Sequence, residues 1–173
     1  KGFAIEPGPV LYLDYETDKG DFQNRSAMLS AGMGYPIPMS LYYRRCYQPL
    51  ASEVGEVQKI IAEHDIQFVV VDSAGLASGG KPQDESVVIP YFGALRQIGI
   101  TSLTIAHVAK NAENKSPFGS VYWINIPRSV YEVRKVQNAG EDEVLVGLYH
   151  RKVNSGRLQR PHGFRFTFGK ESI

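Results

Sequence analysis

Phe68-Val69-Val70-Val71-Asp72-Ser73 is four apolar residues closed by an acid and a hydroxyl, and the chain holds two counterparts to it. Val10-Leu11-Tyr12-Leu13 runs into Asp14-Tyr15-Glu16, and Leu103-Thr104-Ile105-Ala106 runs into His107. Apolar runs this short, with helix-length stretches between them, are what parallel strands buried on both faces look like. Ligands of open α/β sheets sit at the carboxyl ends of such strands. Two acids and a histidine on one sheet edge therefore point to a magnesium–phosphate site.

The rest of the chain supplies elements for such a sheet. Pro7-Gly8-Pro9 is a turn that delivers a strand over 10–15. Residues 21–32 have Phe22, Ala27, Met28 and Ala31 near helical spacing, and Pro36 and Pro38 break the connection to a strand at 40–43. Ser52 with Glu56 opens a second helix, striped by Val54, Val57, Ile60 and Ile61. After the strand at 67–72 come a glycine-rich loop over 73–86, a helix to about Ile98 and a strand at 101–106. A polar stretch (108–117) and a short helix near 120–125 follow. Candidate strands at 129–136, 143–150 and 163–168 alternate or pair as hairpins, so the sheet is expected to gain an antiparallel edge.

Composition sets bounds. A chain of 173 residues, 43% hydrophobic and 21% charged, suits one well-buried globular domain and no second one. The lone Cys46 excludes an internal disulfide framework and fits a reducing cytosol. No run reaches the length of a membrane span, and no signal segment opens the chain. It starts at Lys1, not Met, and so reads as a piece of a longer polypeptide. The net charge of +1 is uneven: residues 1–100 carry 8 Lys and Arg against 12 Asp and Glu, while 101–173 carry 11 against 6. That basic distal part is either a solvated face or a surface for phosphate or nucleic acid.

Each candidate residue has a chemical reading and a plainer one. Asp72 with Ser73 has the form of a Walker B strand end, where the acid holds a magnesium-bound water and the hydroxyl helps position it; the alternative is a helix-cap or turn aspartate. Glu16 lies where a carboxylate orients and deprotonates a water attacking phosphate, and Asp14 and Asp18 compete with it for that role. His107 is either a polar sensor of phosphate or a hydrogen-bonded structural histidine, and no second His or Cys stands at ligand spacing to it. Arg128 suits a γ-phosphate delivered from a neighbouring subunit, and Arg151, Lys152 and Asn154 form a second basic cluster; both also read as surface residues. Gly75 to Lys81 matches G-x-x-x-x-G-K, but Pro82 stands where the pattern needs Ser or Thr, and proline lacks the backbone donor of a cradle.

Taken in order, these segments resemble the RecA-fold ATPase superfamily, and within it the RepA-like hexameric helicase group. The resemblance runs from Val10 to about Phe168. Val10 to Glu16 looks like the family's second strand, with Glu16 at the water-activating position; Phe68 to Ser73 matches its Walker B strand, and Leu103 to Lys110 its sensor strand with His107 at the sensing position. Gly79-Gly80 and the acids after them fit its loop into the next helix. Phe118 to Tyr131 is similar to its glycine–serine helix and arginine-finger strand, which places Arg128 as the finger. Arg151 to Gly156 looks like its late lysine–asparagine turn, so Arg151 and Lys152 are implied near an intersubunit nucleotide. Residues 108–117, with Lys110, Asn111, Asn114 and Lys115, take the place of its DNA-contacting channel loop. The family's first strand, Walker A loop and following helix would precede Lys1, so the isolated chain is expected to bind nucleotide poorly and hydrolyse little.

The resemblance implies an α/β fold: a RecA-like three-layer core with a mostly parallel central sheet and an antiparallel C-terminal extension, in one domain over 1–173. It implies the ATPase core of a replicative helicase that uses ATP and Mg²⁺, with Asp72 as magnesium holder, single-stranded DNA as partner and a hexameric ring as assembly, in the cytoplasm and away from membranes. Two rivals stand beside it: an assembly or nucleic-acid-binding module that has kept the fold and lost catalysis, and a metal-dependent phosphoesterase using Asp14, Glu16 and Asp72 directly.

Overall fold

The computed structural model describes residues 6–108 and 117–173. They fall into two compact units: one runs up to Asp21 and resumes over Pro38–Trp123, the other comprises Phe22–Ile37 and Ile124–Ile173. The first holds a four-stranded parallel sheet and the second a three-stranded antiparallel sheet. This is an α/β fold with a RecA-like core and a C-terminal antiparallel extension.

In the first unit, β1 (Val10–Asp14), β2 (Leu41–Arg45), β3 (Phe68–Asp72) and β4 (Thr101–Thr104) line up in the order β2-β1-β3-β4. The register puts Asp14 level with Arg45 on one side and Asp72 on the other. Parallel pairing in register also sorts the side chains. Leu11, Leu13, Val69 and Val71 share the face that is wholly buried, and Tyr12, Asp14, Tyr43, Arg45, Val70 and Asp72 share the other. Helix α2 (Leu50–His64) and helix α4 (Glu85–Ile98) cover the buried face: Glu53 bonds Arg44 at 2.8 Å, and the Tyr91 hydroxyl lies 2.7 Å from that of Thr104. On the opposite face, Leu103 of the edge strand β4 is 49% exposed.

Several expected details are displaced. The ladder ends at Thr104, and Ile105 and Ala74 exchange single bonds with Val71 and Ile105 beyond it, so the strand expected over 101–106 is shorter. α2 begins at Leu50 behind Pro49, two residues before Ser52, because proline's fixed φ suits a helix entrance. The glycine-rich loop contains a helical turn, α3 (Ala74–Ala77), and Gly79 at φ 76° packs where a Cβ would strike Pro49 Cγ at 2.4 Å. Helix α1 (Lys19–Met33) forms, but its expected apolar stripe buries no residue, since Phe22, Ala27, Met28 and Ala31 are interspersed with polar side chains all round the helix.

The second unit's sheet has the order β5-β6-β7, from β5 (Ser129–Val136), β6 (Glu143–Val153) and β7 (His162–Thr167). These strands were expected on the edge of the parallel sheet; they instead pair with each other as a separate sheet, because neighbouring antiparallel strands on short connections fill their own ladders locally. Among the described residues no helix is long and apolar enough to cross a membrane.

Candidate active site at the carboxyl edge of the parallel sheet

Three acids, Asp14, Glu16 and Asp18, follow one another from the last residue of β1 onward, and the backbone separates their roles. Asp14 is buried, and its carboxylate accepts bonds from Glu16 N (2.9 Å), Thr17 N (2.8 Å), Thr17 Oγ1 (2.7 Å) and Tyr43 Oη (3.0 Å), with Arg45 Nη1 at 3.3 Å. Burial alone would raise its pKa, but the Thr17, Glu16 and Tyr43 donors outweigh it and hold the carboxyl below its ordinary value. The same contact, with burial leading, pushes the Tyr43 phenol up to about 12. Asp18 accepts Asp21 N at 3.0 Å, three residues on, as an N-terminal cap of α1. Asp14 therefore shapes the turn and Asp18 starts the helix. Of the three, Glu16 is the one whose carboxylate meets residues that follow β3 and β4.

There it meets the other two runs. Ser73 Oγ donates to Glu16 Oε1, and His107 Nε2 lies 3.2 Å from the same oxygen. Tyr12 Oη donates to Asp72 Oδ2. Glu16, Ser73 and His107 thus meet beyond the tips of β1, β3 and β4, and Asp72 ends β3 just before Ser73. Ser73 is completely buried at the head of α3, yet its hydroxyl goes to Glu16 and does not cap the helix; the Asp72–Ser73 peptide is cis. With Ser73 and His107 both on Oε1, the Glu16 carboxylate is held by one oxygen while its side chain stays 36% exposed. His107 is 64% exposed, and its carbonyl accepts Phe118 N at 3.2 Å next to a bridge between Val108 and Pro117.

Sequence reasoning missed Tyr12, Tyr43 and Arg45 as supports of these acids. The signal was present: with period-two alternation, Tyr12 falls on the Asp14 face of β1, and Tyr43 and Arg45 share a face of β2. What periodicity lacked was that β2 would pair beside β1.

Of the other expected residues, Arg151 and Lys152 have partners of their own. Arg128, Arg151 and Lys152 belong to the second unit. Arg128 is exposed; Arg151 pairs with Glu132 at 2.6 Å; Lys152 Nζ donates to the carbonyls of Asn125 (2.7 Å) and Pro127 (2.6 Å), closing off the short helix α5 (Tyr122–Asn125). Lys110, Asn111, Asn114 and Lys115 lie outside the described residues. The G-x-x-x-x-G-K stretch makes no phosphate cradle: Gly75 is in α3, and the Pro82 carbonyl accepts the Trp123 indole at 2.7 Å.

Asp72 offers a strand-end carboxylate beside a hydroxyl, a hard oxygen set of the kind magnesium takes through one or two carboxylates and the substrate's phosphates. Among the described residues no three His, Cys, Asp or Glu side chains are grouped to hold a metal by themselves, and Asp14 is committed to its turn. That disfavours the phosphoesterase arrangement of Asp14, Glu16 and Asp72.

Compared with known proteins, residues 1–113 match the sequence model of the family described as AAA domain. No curated protein matches the chain.

Proposed function

The chain belongs to the AAA-domain family of P-loop-type ATPases, and from that premise we propose that it is the ATP-hydrolysing core of a RepA-like replicative helicase moving on single-stranded DNA. The observation that carries the ATPase reading is the pair of contacts that fixes Glu16 by one oxygen between Ser73 and His107, on the strand tip next to Asp72.

In this reading Glu16 Oε2 takes the proton of the attacking water, while Oε1 is held by Ser73 and His107 so that the base cannot rotate away. His107 reaches the base directly, so a phosphate that drew its ring N–H away would alter the grip on Glu16. Asp72, fixed by Tyr12, is the residue that would hold Mg²⁺ through water. The ion, when bound, neutralises charge developing on the phosphates. Arg128 would act on the nucleotide of a neighbouring subunit, with Arg151 and Lys152 supporting that contact. The phosphate cradle itself comes from no described loop; a further parallel strand beside β4, whose outer edge is unpaired among the described residues, would bring it next to Glu16 and His107.

The test is steady-state ATP hydrolysis by the full-length protein with Glu16→Gln. A carboxamide keeps the shape and loses the base, so kcat should fall about 10²–10⁴-fold while nucleotide affinity changes only a few-fold. Equal kcat in wild type and variant would remove Glu16 from the mechanism and the reading with it.

A further inference from the structure

The antiparallel sheet carries a groove of which the ATPase reading uses only Arg151, at one wall. Arg134, Gly147 and Gly163 form one cross-strand row, so two adjacent strands present no side chain there. The rows on either side are filled, by Val136, Leu145 and Arg165 on one and by Glu132 and Tyr149 on the other. Leu145 and Tyr149 stand about 13 Å apart along β6, and the space between is an open concavity of 630 Å³. A Cβ on Gly147 would come within 2.8 Å of the Tyr149 ring, whereas one on Gly163 would meet nothing within 4 Å. Glycine at 147 lets the ring lie down over the strand, and glycine at 163 leaves the floor bare.

The walls are cationic and planar. The Arg134 and Arg151 guanidinium carbons each lie 5.0 Å from the centre of the Tyr149 ring. Both arginines share the single carboxylate of Glu132, Arg134 through Nε (2.7 Å) and Nη2 (3.2 Å), Arg151 through Nε (2.7 Å) and Nη2 (2.6 Å). Arg134 spends two of its five N–H donors there and Arg151 one, with its Nη2 in ion-pair contact, so the forks are anchored without being used up. Arg165 approaches Glu143 at 3.5 Å and keeps 69% of its side chain exposed. Over residues 22–37 and 124–173, which make up this unit, 10 Lys and Arg stand against 5 Asp and Glu.

We propose that this groove binds single-stranded nucleic acid, its phosphates on Arg134, Arg151 and Arg165 and its bases on the arginine–tyrosine column and the glycine floor. Net positive charge selects a polyanion. Immobilised guanidinium planes beside an aromatic ring, with exposed Leu145 and Val136 at the far wall, add affinity for base faces, which a bare phosphate or an acidic peptide lacks. The proposal rests on the helicase reading only for the identity of the polymer.

The experiment is fluorescence anisotropy of labelled oligo(dT) with the full-length protein, without nucleotide, across a salt series. Wild type should bind. Arg165→Glu and Arg134→Ala should each weaken binding about tenfold and reduce the slope of log K against log salt by about 0.7 per lost phosphate contact. Lys59→Glu, a reversal of another exposed charge on α2, should leave it unchanged. Photo-crosslinking of a bromouracil oligonucleotide, mapped by mass spectrometry, should label the peptides of β6 and β7, a readout independent of how any variant folds. The proposal falls if wild type does not bind, if Arg165→Glu binds like wild type, if crosslinks stay before residue 123, or if polyglutamate competes as well as oligo(dT). Because no ATP is present, failure here leaves the ATPase reading standing, and equal kcat of wild type and Glu16→Gln with intact oligonucleotide binding would sink only the latter.

Discussion

Asp14 and Glu16 are two residues apart and both carry a carboxylate, yet their surroundings give them opposite uses. Asp14 gathers backbone and hydroxyl donors and is a positioning residue for the turn that presents Glu16. Since its folded pKa is lowered, its contribution to stability is complete above the ordinary carboxylate value, near 4, and is lost as pH falls through the lowered folded value. Asp14→Asn should cost about 2–3 kcal/mol at neutral pH. It should also flatten the acid limb of a stability–pH curve measured by urea unfolding. An acid limb as steep as wild type would show that other carboxylates carry it. Ser73 asks for a finer measurement: if Glu16 is the base as proposed, Ser73→Ala should lower kcat about tenfold, equivalent to 1.4 kcal/mol, with KM unchanged, because the buried hydroxyl restrains Glu16.

Among the elements, α2 and α4 show how little of the covering layer depends on special chemistry. Their helical spacing puts Leu50 and Val57 of one and Val88, Tyr91 and Ile98 of the other into the core. Both helices end in a left-handed residue, Gly99 at φ 81° after α4 but Asp65 at φ 51° after α2. Only glycine takes that conformation without a Cβ penalty. Asp65, which is exposed, should therefore accept glycine with a gain of about 0.5–1 kcal/mol, while Gly99→Ala should lose about 1 kcal/mol. Thermal or urea midpoints of the two variants moving in the same direction would contradict this account of the helix ends. The elements also explain where periodicity failed. In α1 Phe22 and Met28 are only half-buried and Ala27 and Ala31 are exposed, so residues at helical spacing there did not mark a core.

For the whole molecule, the proposed action of Arg128 on a neighbouring subunit's nucleotide has a test of its own. If it acts in trans, Glu16→Gln and Arg128→Ala proteins should each be inactive, and mixing them in equal amounts should restore about a quarter of the intersubunit sites, those pairing an intact Glu16 with an intact Arg128. Mixtures that stay at the level of the separate variants would return Arg128 to the role of surface residue. What the sequence determined by itself was the sheet and its loaded edge. Runs of four apolar residues have few places to go but buried parallel strands, and their last polar residues must then emerge at one edge, so Glu16, Asp72 and His107 were legible together. The tertiary structure alone separated Asp14, Glu16 and Asp18, because the donors that fold back onto each of them differ. It also decided that β2 flanks β1 and brings Tyr43 and Arg45 to Asp14, and that the last three strands close a sheet of their own. Pairing between distant strands is set by the packing of the whole unit, and no local pattern of residues encodes it.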